Sequence, residues 1–294
     1  MGHTSRIMTV LVSRVALSAL FIAPALIFTP ALSQTKAPTI GGEVKVIVPQ
    51  LPGAYGNVKD RNWTVGISGY LFPAVETLVG LTKDGPAPTK LATSWDITPD
   101  GKSITFHLRK NVKFHDSTNF NAAAVKWNIE QIKPSKSELN VISSIDVIDE
   151  STVRFNLSEY SSSLLYNLTW YDGMMISPTS VEGRDQAYIA THVIGTGPFK
   201  LENFKQNSSA SFSKFADYWD KGKPYLDGFQ YVVVNDNNTA RSALLSGQVD
   251  VWDYVEPKNI AGLTSGGYKV NTVPGVIRTA YGDSANADLS LIHI

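Results

Sequence analysis

The sequence contains no cysteine. That absence removes thiolate nucleophiles, thiolate zinc sites, disulfides and a lipid-modified N-terminal cysteine, while leaving the compartment open. An excess of one charge sign is also missing. The 294 residues carry 26 basic and 26 acidic side chains, a formal net charge of +0, so there is no nucleic-acid footprint and no acidic tail. No internal repeat or low-complexity tract occurs. The longest apolar run, residues 15–28 (VALSALFIAPALIF), is broken by Pro24 and falls short of the roughly 20 residues needed to span a bilayer.

Catalytic signatures are missing as well. The five histidines (His3, His107, His115, His192, His293) form no pair at metal-ligand spacing. There is no Gly-x-Ser-x-Gly elbow and no Walker sequence. Gly195-Thr196-Gly197 is followed by Pro198-Phe199 rather than by a helix, which excludes a dinucleotide fingerprint. Ser211 and Lys214 match Ser-x-x-Lys, but an alternating strand puts them on opposite faces. The carboxylates are scattered with no acid–base spacing. No catalytic residue, metal ligand or cofactor is expected.

What is present begins with the leader. Arg6 and Arg14 precede the apolar run in a stretch free of Asp and Glu, and Thr29-Pro30-Ala31-Leu32-Ser33 follows with small residues at the positions a signal peptidase reads. This is the order of a cleavable secretory signal over residues 1–33, with a membrane anchor as the alternative. Cleavage leaves 24 basic against 26 acidic residues, a net charge of −2, in a chain expected to be periplasmic.

Beyond it, 43% hydrophobic and 10% aromatic content suffices for a packed core. Residues 43–48 alternate as a strand, and the Pro- and Gly-rich residues 49–60 read as loop. Phe72, Val75, Leu78 and Val79 recur at helical spacing and predict a buried helix over 65–81, closed by a turn at Gly85-Pro86-Ala87-Pro88. Thr98-Pro99-Asp100-Gly101 between alternating runs predicts a hairpin. Asn121 is the expected N-cap of a helix over 122–132, followed by a hairpin over 142–157 and a short helix and loop over 158–172. A short helix around Tyr188, strands at 199–204, 209–215 and 228–234, a helix at 238–246 and a strand at 249–252 complete an irregular α/β alternation.

Several motifs then occur in a fixed order. Glu76-Thr77-Leu78-Val79 is followed by Leu91-Ala92-Thr93-Ser94-Trp95-Asp96, Asp100-Gly101, and Phe106-His107-Leu108-Arg109 through Phe114-His115-Asp116. Later come Ile194-Gly195-Thr196-Gly197-Pro198-Phe199, Tyr218-Trp219, Gly222-Lys223-Pro224-Tyr225-Leu226-Asp227 and Leu244-Leu245-Ser246-Gly247-Gln248-Val249-Asp250. Together they resemble the family 5 extracellular solute-binding proteins of ABC transporters, the dipeptide, oligopeptide and nickel-binding type. Two departures are Ser117, where the family has glycine, and a short helical segment after Trp127.

The resemblance implies an α/β type II periplasmic-binding-protein clamshell. Residues 34–56 and 193–272 would form the first lobe's main sheet, and 57–192 the family's extra subdomain. Residues 273–288 would begin the crossing to a second lobe that is largely missing. The last six, 289–294 (LSLIHI), match one reading frame of a transposase sequencing adapter, so an N-terminal fragment is expected, one that binds its ligand weakly or not at all. The implied role is the binding component of a periplasmic importer, acting as a monomer that delivers a peptide or small molecule to ABC permease subunits, with no nucleic-acid partner. An exported hydrolase and a periplasmic chaperone or sensor on the same fold stay open, as does the ligand: peptide, nickel chelate, sugar or haem.

By the same likeness, ligand contacts are expected from Tyr55, Trp63, Tyr70, Trp170, Tyr171 and Asp172, and from Trp252 and Tyr254 at a strand end near the hinge. Each aromatic has core packing as its alternative role. Trp95, Phe106 and Trp219 are assigned to core or structural positions, and Glu76 to a structural one. Export is directly testable: expressed with its leader, the protein should begin at Gln34, and N-terminal sequencing that returns Met1 from the mature product refutes the signal.

Overall fold

The computed structural model describes residues 40–56, 69–135 and 137–271. The leader at 1–33, Trp63, the crossing segment at 273–288 and the last six residues lie outside the described residues.

Strand β1 is Glu43–Val48, as its alternation predicts. The helix expected over 65–81 is not formed in the described part of that range. A single 3-10 turn, Gly69–Leu71, is followed by β2 (Glu76–Thr77) and β3 (Gly80–Thr82). Val75, Leu78 and Val79 are in the core as expected. However, Pro73 cannot donate inside a helix, and Glu76 and Thr77 pair instead with Met175 and Met174. Short apolar runs do not by themselves separate strand from helix. The turn expected at Gly85 is likewise a strand, β4 (Gly85–Ala87), and Lys83-Asp84 make the turn. Pro86 stands opposite Leu81, one residue from the turn-closing pair Thr82–Gly85. That is a non-hydrogen-bonded position, where a missing N–H costs nothing.

Strands β5 (Ala92–Ile97) and β6 (Ser103–Leu108) form the predicted hairpin, with Gly101 at φ +68° taking its left-handed turn position. Ile104, Phe106 and Leu108 are buried, while His107 turns outward to Asp96 at 3.0 Å. Helix α1 (Ala122–Ile132) starts at Asn121, whose side-chain oxygen accepts the Ala124 N–H at 2.9 Å. Then come β7 (Ile142–Asp149), β8 (Thr152–Leu157), α2 (Leu164–Asn167), β9 (Met174–Met175) and α3 (Gln186–Thr191). The last third holds β10 (Phe199–Lys205), β11 (Ser209–Lys214), β12 (Gly228–Val233), α4 (Asn237–Leu245), β13 (Val251–Trp252) and α5 (Pro257–Ser265). The sequence reading did not foresee β9 or α5.

Two larger sheets result. One runs β10-β11-β12-β1-β13, with β1 parallel to β12 and to β13; the other runs β5-β6-β8-β7 and is antiparallel throughout. One core spans both sheets, from Val48, Phe212 and Phe229 to Phe106, Phe114 and Phe155. The opposite face of β1 and β13 buries Ile47 and Trp252 against Ala240, Leu244 and Leu263 of α4 and α5.

The segment Gly195-Thr196-Gly197, which leads into β10, is threaded tightly between neighbours. Gly197 donates its N–H to the Ala74 carbonyl at 3.0 Å, and Phe199 donates to Pro73 at 3.0 Å. A Cβ on Gly195 would lie 2.1 Å from the Ala74 oxygen, and one on Gly197 2.4 Å from that of Pro73, so backbone approach demands glycine at both places. Thr196 meets the Glu76 carboxylate, which is 2% exposed. Glu76 accepts from Thr196 Oγ1 (3.2 Å), Trp219 Nε1 (2.7 Å), Tyr218 Oη (2.9 Å) and Lys90 Nζ (3.3 Å). The Arg109 guanidinium stacks on the Trp219 ring at 3.9 Å.

The His115 ring closes the other side. Its Nε2 is 3.0 Å from the Gly197 carbonyl, and its Nδ1 accepts the Gly195 N–H at 3.4 Å, so the proton belongs on Nε2. Burial first, and the Lys200 ammonium after it, depress this imidazole to about 4, against the opposing pull of the Gly197 carbonyl and the Asp116 and Glu202 carboxylates.

Two predictions follow from this junction. Glu76→Ala leaves its donors without a partner and should cost about 3 kcal/mol, or roughly 6–12 °C in Tm by thermal melting. Lys83→Ala, which removes the exposed pair with Asp84, should cost less than about 0.5 kcal/mol. A Glu76→Ala midpoint within 2 °C of the parent (about one measurement error) contradicts the assignment. For His115, the depressed folded value makes its contribution complete above the unfolded value near 6.5 and lost as pH falls toward 4. Chemical denaturation should therefore lose about 3 kcal/mol across that window, and His115→Gln should flatten the slope.

Candidate functional site

In an open sheet with parallel strands, ligands gather beyond the strands' carboxyl ends. Here β1, β12 and β13 are parallel, and their ends lead into the loop at 49–56, the Asp236 cap of α4 and the turn Asp253-Tyr254. Period-two alternation sorts β13. Trp252 faces the second core, whereas Val251 and Asp253 belong to the other face. Trp252, expected to contact ligand, is thus a buried core residue packed with Ile47 and Leu244.

Asp253 is fixed from two directions. Its backbone N–H donates to the Ile47 carbonyl at 2.9 Å, and its Oδ2 accepts the Tyr70 hydroxyl at 2.9 Å. The Tyr70 ring meets Tyr231 of β12 edge-on at 5.1 Å. Tyr55 is expected at a ligand face, but its ring is buried, edge-on against Phe204 at 4.8 Å and Phe212 at 6.0 Å. Its hydroxyl is buried with no hydrogen-bond partner. Desolvation comes first in raising all three phenols above their ordinary value, with the Asp253 charge adding to it at Tyr70 and Tyr231. The three therefore stay neutral at any physiological pH.

Tyr254 is 80% exposed and holds φ +68°, an unusual backbone for a bulky residue. Next to Tyr70, Phe72 tilts against Trp170 at 6.1 Å, and Trp170 against Tyr171 at 6.3 Å, both half-buried. Asp172 is buried in the adjoining 3-10 turn, Tyr171–Gly173. The structure thus joins Tyr70 to Asp253 and to Tyr231, leaves Tyr254 beside Asp253 in the chain, and sets Trp170 between Phe72 and Tyr171. Trp63 lies outside the described residues. The sequence places Asp253 in a strand end near the hinge but does not select it, or Tyr231, as a ligand contact. Asp253 lies between two residues it did select, and only the distant partner Tyr70 distinguishes it.

A second concavity of about 550 Å³ lies beside the Glu76 network, between Trp219, Phe199 and Tyr225. Its charged side chains are already taken, Lys90 by Glu76 and Lys223 by Asp220. Among the described residues, no group of three or more His, Cys, Asp or Glu converges on a metal position. The arrangement at the strand ends offers shape, aromatic surface and hydrogen bonds.

A mixed α/β core with aromatic surface at the ends of parallel strands is the fold and site that the chain presents. Residues 88–285 match the bacterial extracellular solute-binding proteins, family 5 middle region, and the chain belongs to that family. A glutathione-binding protein, GsiB of Salmonella typhimurium, is 36% identical over 179 residues, covering 58% of this chain and 34% of that protein. AgaA from A. tumefaciens R10, solved with agropinic acid, is 33% identical with a TM-score of 0.66 over 76% of this chain and 46% of that one. DppA from Helicobacter pylori, an ABC transporter-associated periplasmic binding protein solved with the peptide STSA, is 24% identical and shares the fold with a TM-score of 0.66, covering 77% and 49%. The chain therefore spans less than half the length of these relatives.

Proposed function

We propose that this chain forms one wall of the ligand cleft of a periplasmic solute-binding protein that serves an ABC importer. The observation that carries the reading is the aromatic and hydroxyl surface around Tyr70, Asp253 and Tyr254 at the carboxyl ends of β1, β12 and β13. In this reading the leader at 1–33 exports the chain. Residues 34–56 and 193–272 build the first lobe's sheet, supported by the pairing of β1 with β12 and β13. Residues 57–192 are the extra subdomain, supported by the self-contained sheet β5-β6-β8-β7. Trp170 and Tyr171 are ligand-facing, and the monomer hands a peptide or small organic solute to membrane permease subunits. It binds without transforming its ligand.

Ligand-observed NMR, which registers millimolar affinity, tests this on glutathione, the dipeptide Met-Leu and agropinic acid. At least one should bind, remain chemically unchanged for hours, and bind Trp170→Ala at least about tenfold more weakly. Absence of binding by all three, or turnover of any, overturns the reading.

A further inference from the structure

Among the described residues His115 is the one histidine in the core, and its two ring nitrogens have different roles. Nδ1 accepts the Gly195 N–H, and Nε2–H donates to the Gly197 carbonyl. The ring meets Phe215 edge-on at 4.9 Å. A second proton can enter only at Nδ1, where it would point at the Gly195 N–H, donor against donor. Protonation therefore deletes one of the ring's two bonds and puts a charge into a nearly closed site.

The charged groups around the ring do not receive that proton. Lys200 of β10 holds its ammonium over the Phe215 ring at 4.9 Å, a like charge on the ring that His115 touches. Asp116, next in the chain, has its four acceptor positions filled by the Thr118 N–H at 3.0 Å and by the hydroxyls of Thr118 (2.6 Å), Ser177 (2.8 Å) and Thr179. Glu202 of β10 is exposed and accepts the Ser213 hydroxyl. These are the charges that act on His115 most strongly, and the Gly195–Gly197 segment packed against it carries none.

We propose that His115 is an acid-operated latch: a second proton drives the imidazole from between Gly195 and Gly197 and so releases the backbone that holds Tyr70 against Asp253. The connection is continuous. Gly197 and Phe199 donate to the Ala74 and Pro73 carbonyls at 3.0 Å each, and the adjoining Thr196 hydroxyl donates to Glu76 at 3.2 Å. The Ala74 and Val75 N–H groups in turn bond the Leu71 carbonyl at 2.9 Å each, which closes the turn containing Tyr70. With the ring gone, Gly195 and Gly197 lose the partners that set their segment against these residues. The Tyr70 hydroxyl, 2.9 Å from Asp253 Oδ2, then loses its fixed position. The opening itself stands apart from the binding reading, whereas its effect on the ligand, a loss of affinity in acid, rests on the function proposed above.

Amide NMR on the full chain, titrated from neutral pH to about 3.5, reads the latch without any ligand, since the ring's folded value is about 4. The signals of Gly195, Gly197 and residues 69–76 should shift or vanish together, on the midpoint of the His115 ring signals, while those of β6 and β8 hold. His115→Gln supplies an amide oxygen and NH2 in place of the ring's acceptor and donor and does not titrate, so its signals should stay put. Latch signals that hold throughout, that move in His115→Gln as in the parent, or that vanish only together with β6 and β8, overturn the latch. Any of glutathione, Met-Leu and agropinic acid that binds at neutral pH should lose at least about fivefold more affinity in acid with the parent than with His115→Gln, the lower end of site-to-site coupling. Equal losses overturn the coupling to the site. Failure of all three at neutral pH overturns the binding function alone, and the amide signals still decide the latch.

Discussion

The Glu76 carboxylate is nearly sealed from water and receives hydrogen bonds from Lys90, Thr196, Tyr218 and Trp219. Two of these donors are more than 140 residues away in the chain. A buried charge with fewer partners is a strong destabiliser, so the network holds only when all the strands that supply it are in register. It joins β2 to the segment before β10 and to the turn after β11. Through Arg109 stacked on Trp219, it also reaches the end of the antiparallel sheet. Displacing β2 or a segment that supplies one of these donors leaves a charge or a donor stranded in the core.

The glycines at 195 and 197 belong to the same constraint. The Thr196 side chain reaches Glu76 only because its neighbours allow the backbone to lie against Pro73 and Ala74, and because the His115 imidazole accepts one buried N–H and donates to one carbonyl. These contacts fix residues 73–76, and therefore the 3-10 turn Gly69–Leu71 just before them. Tyr70 stands in that turn. The geometry of the strand-end site is thus inherited from the buried network: Asp253 is positioned by β1 from behind and by Tyr70 from the front.

Much of this organisation was legible in the chain. The alternation of Ile104, Phe106 and Leu108, the Asn121 cap and the hairpins around Asp100-Gly101 and Glu150 depend on neighbours within a few residues, and local pattern carries them. The misread stretch at 65–81 is different. Its residues are apolar and correctly assigned to the core, but their backbone partners are Met174 and Met175, about 100 residues on, which no window of local sequence contains. The site repeats the lesson. Trp252 and Tyr254, two residues apart, read alike as aromatics near a hinge, but the strand turns one into the second core and the left-handed backbone of Tyr254 itself turns the other into water. Asp253 carries no local signature, because the residue that gives it meaning, Tyr70, is 183 positions earlier.

Two carboxylates with opposite states of completion divide the molecule's labour. Glu76 has both oxygens satisfied and almost no exposure, so further contacts would have to displace existing ones, and its place is structural. Asp253 has one fixed donor, an exposed side and neutral phenols around it, one of them with an unpartnered hydroxyl. Folding selects for the first condition, because every unpaired buried group raises the free energy of the native state. The second costs folding little at Asp253, because water satisfies its exposed side, and that leaves its acceptors accessible to another molecule. Degree of hydrogen-bond completion, more than residue type, is what separates the knot from the site in this fold.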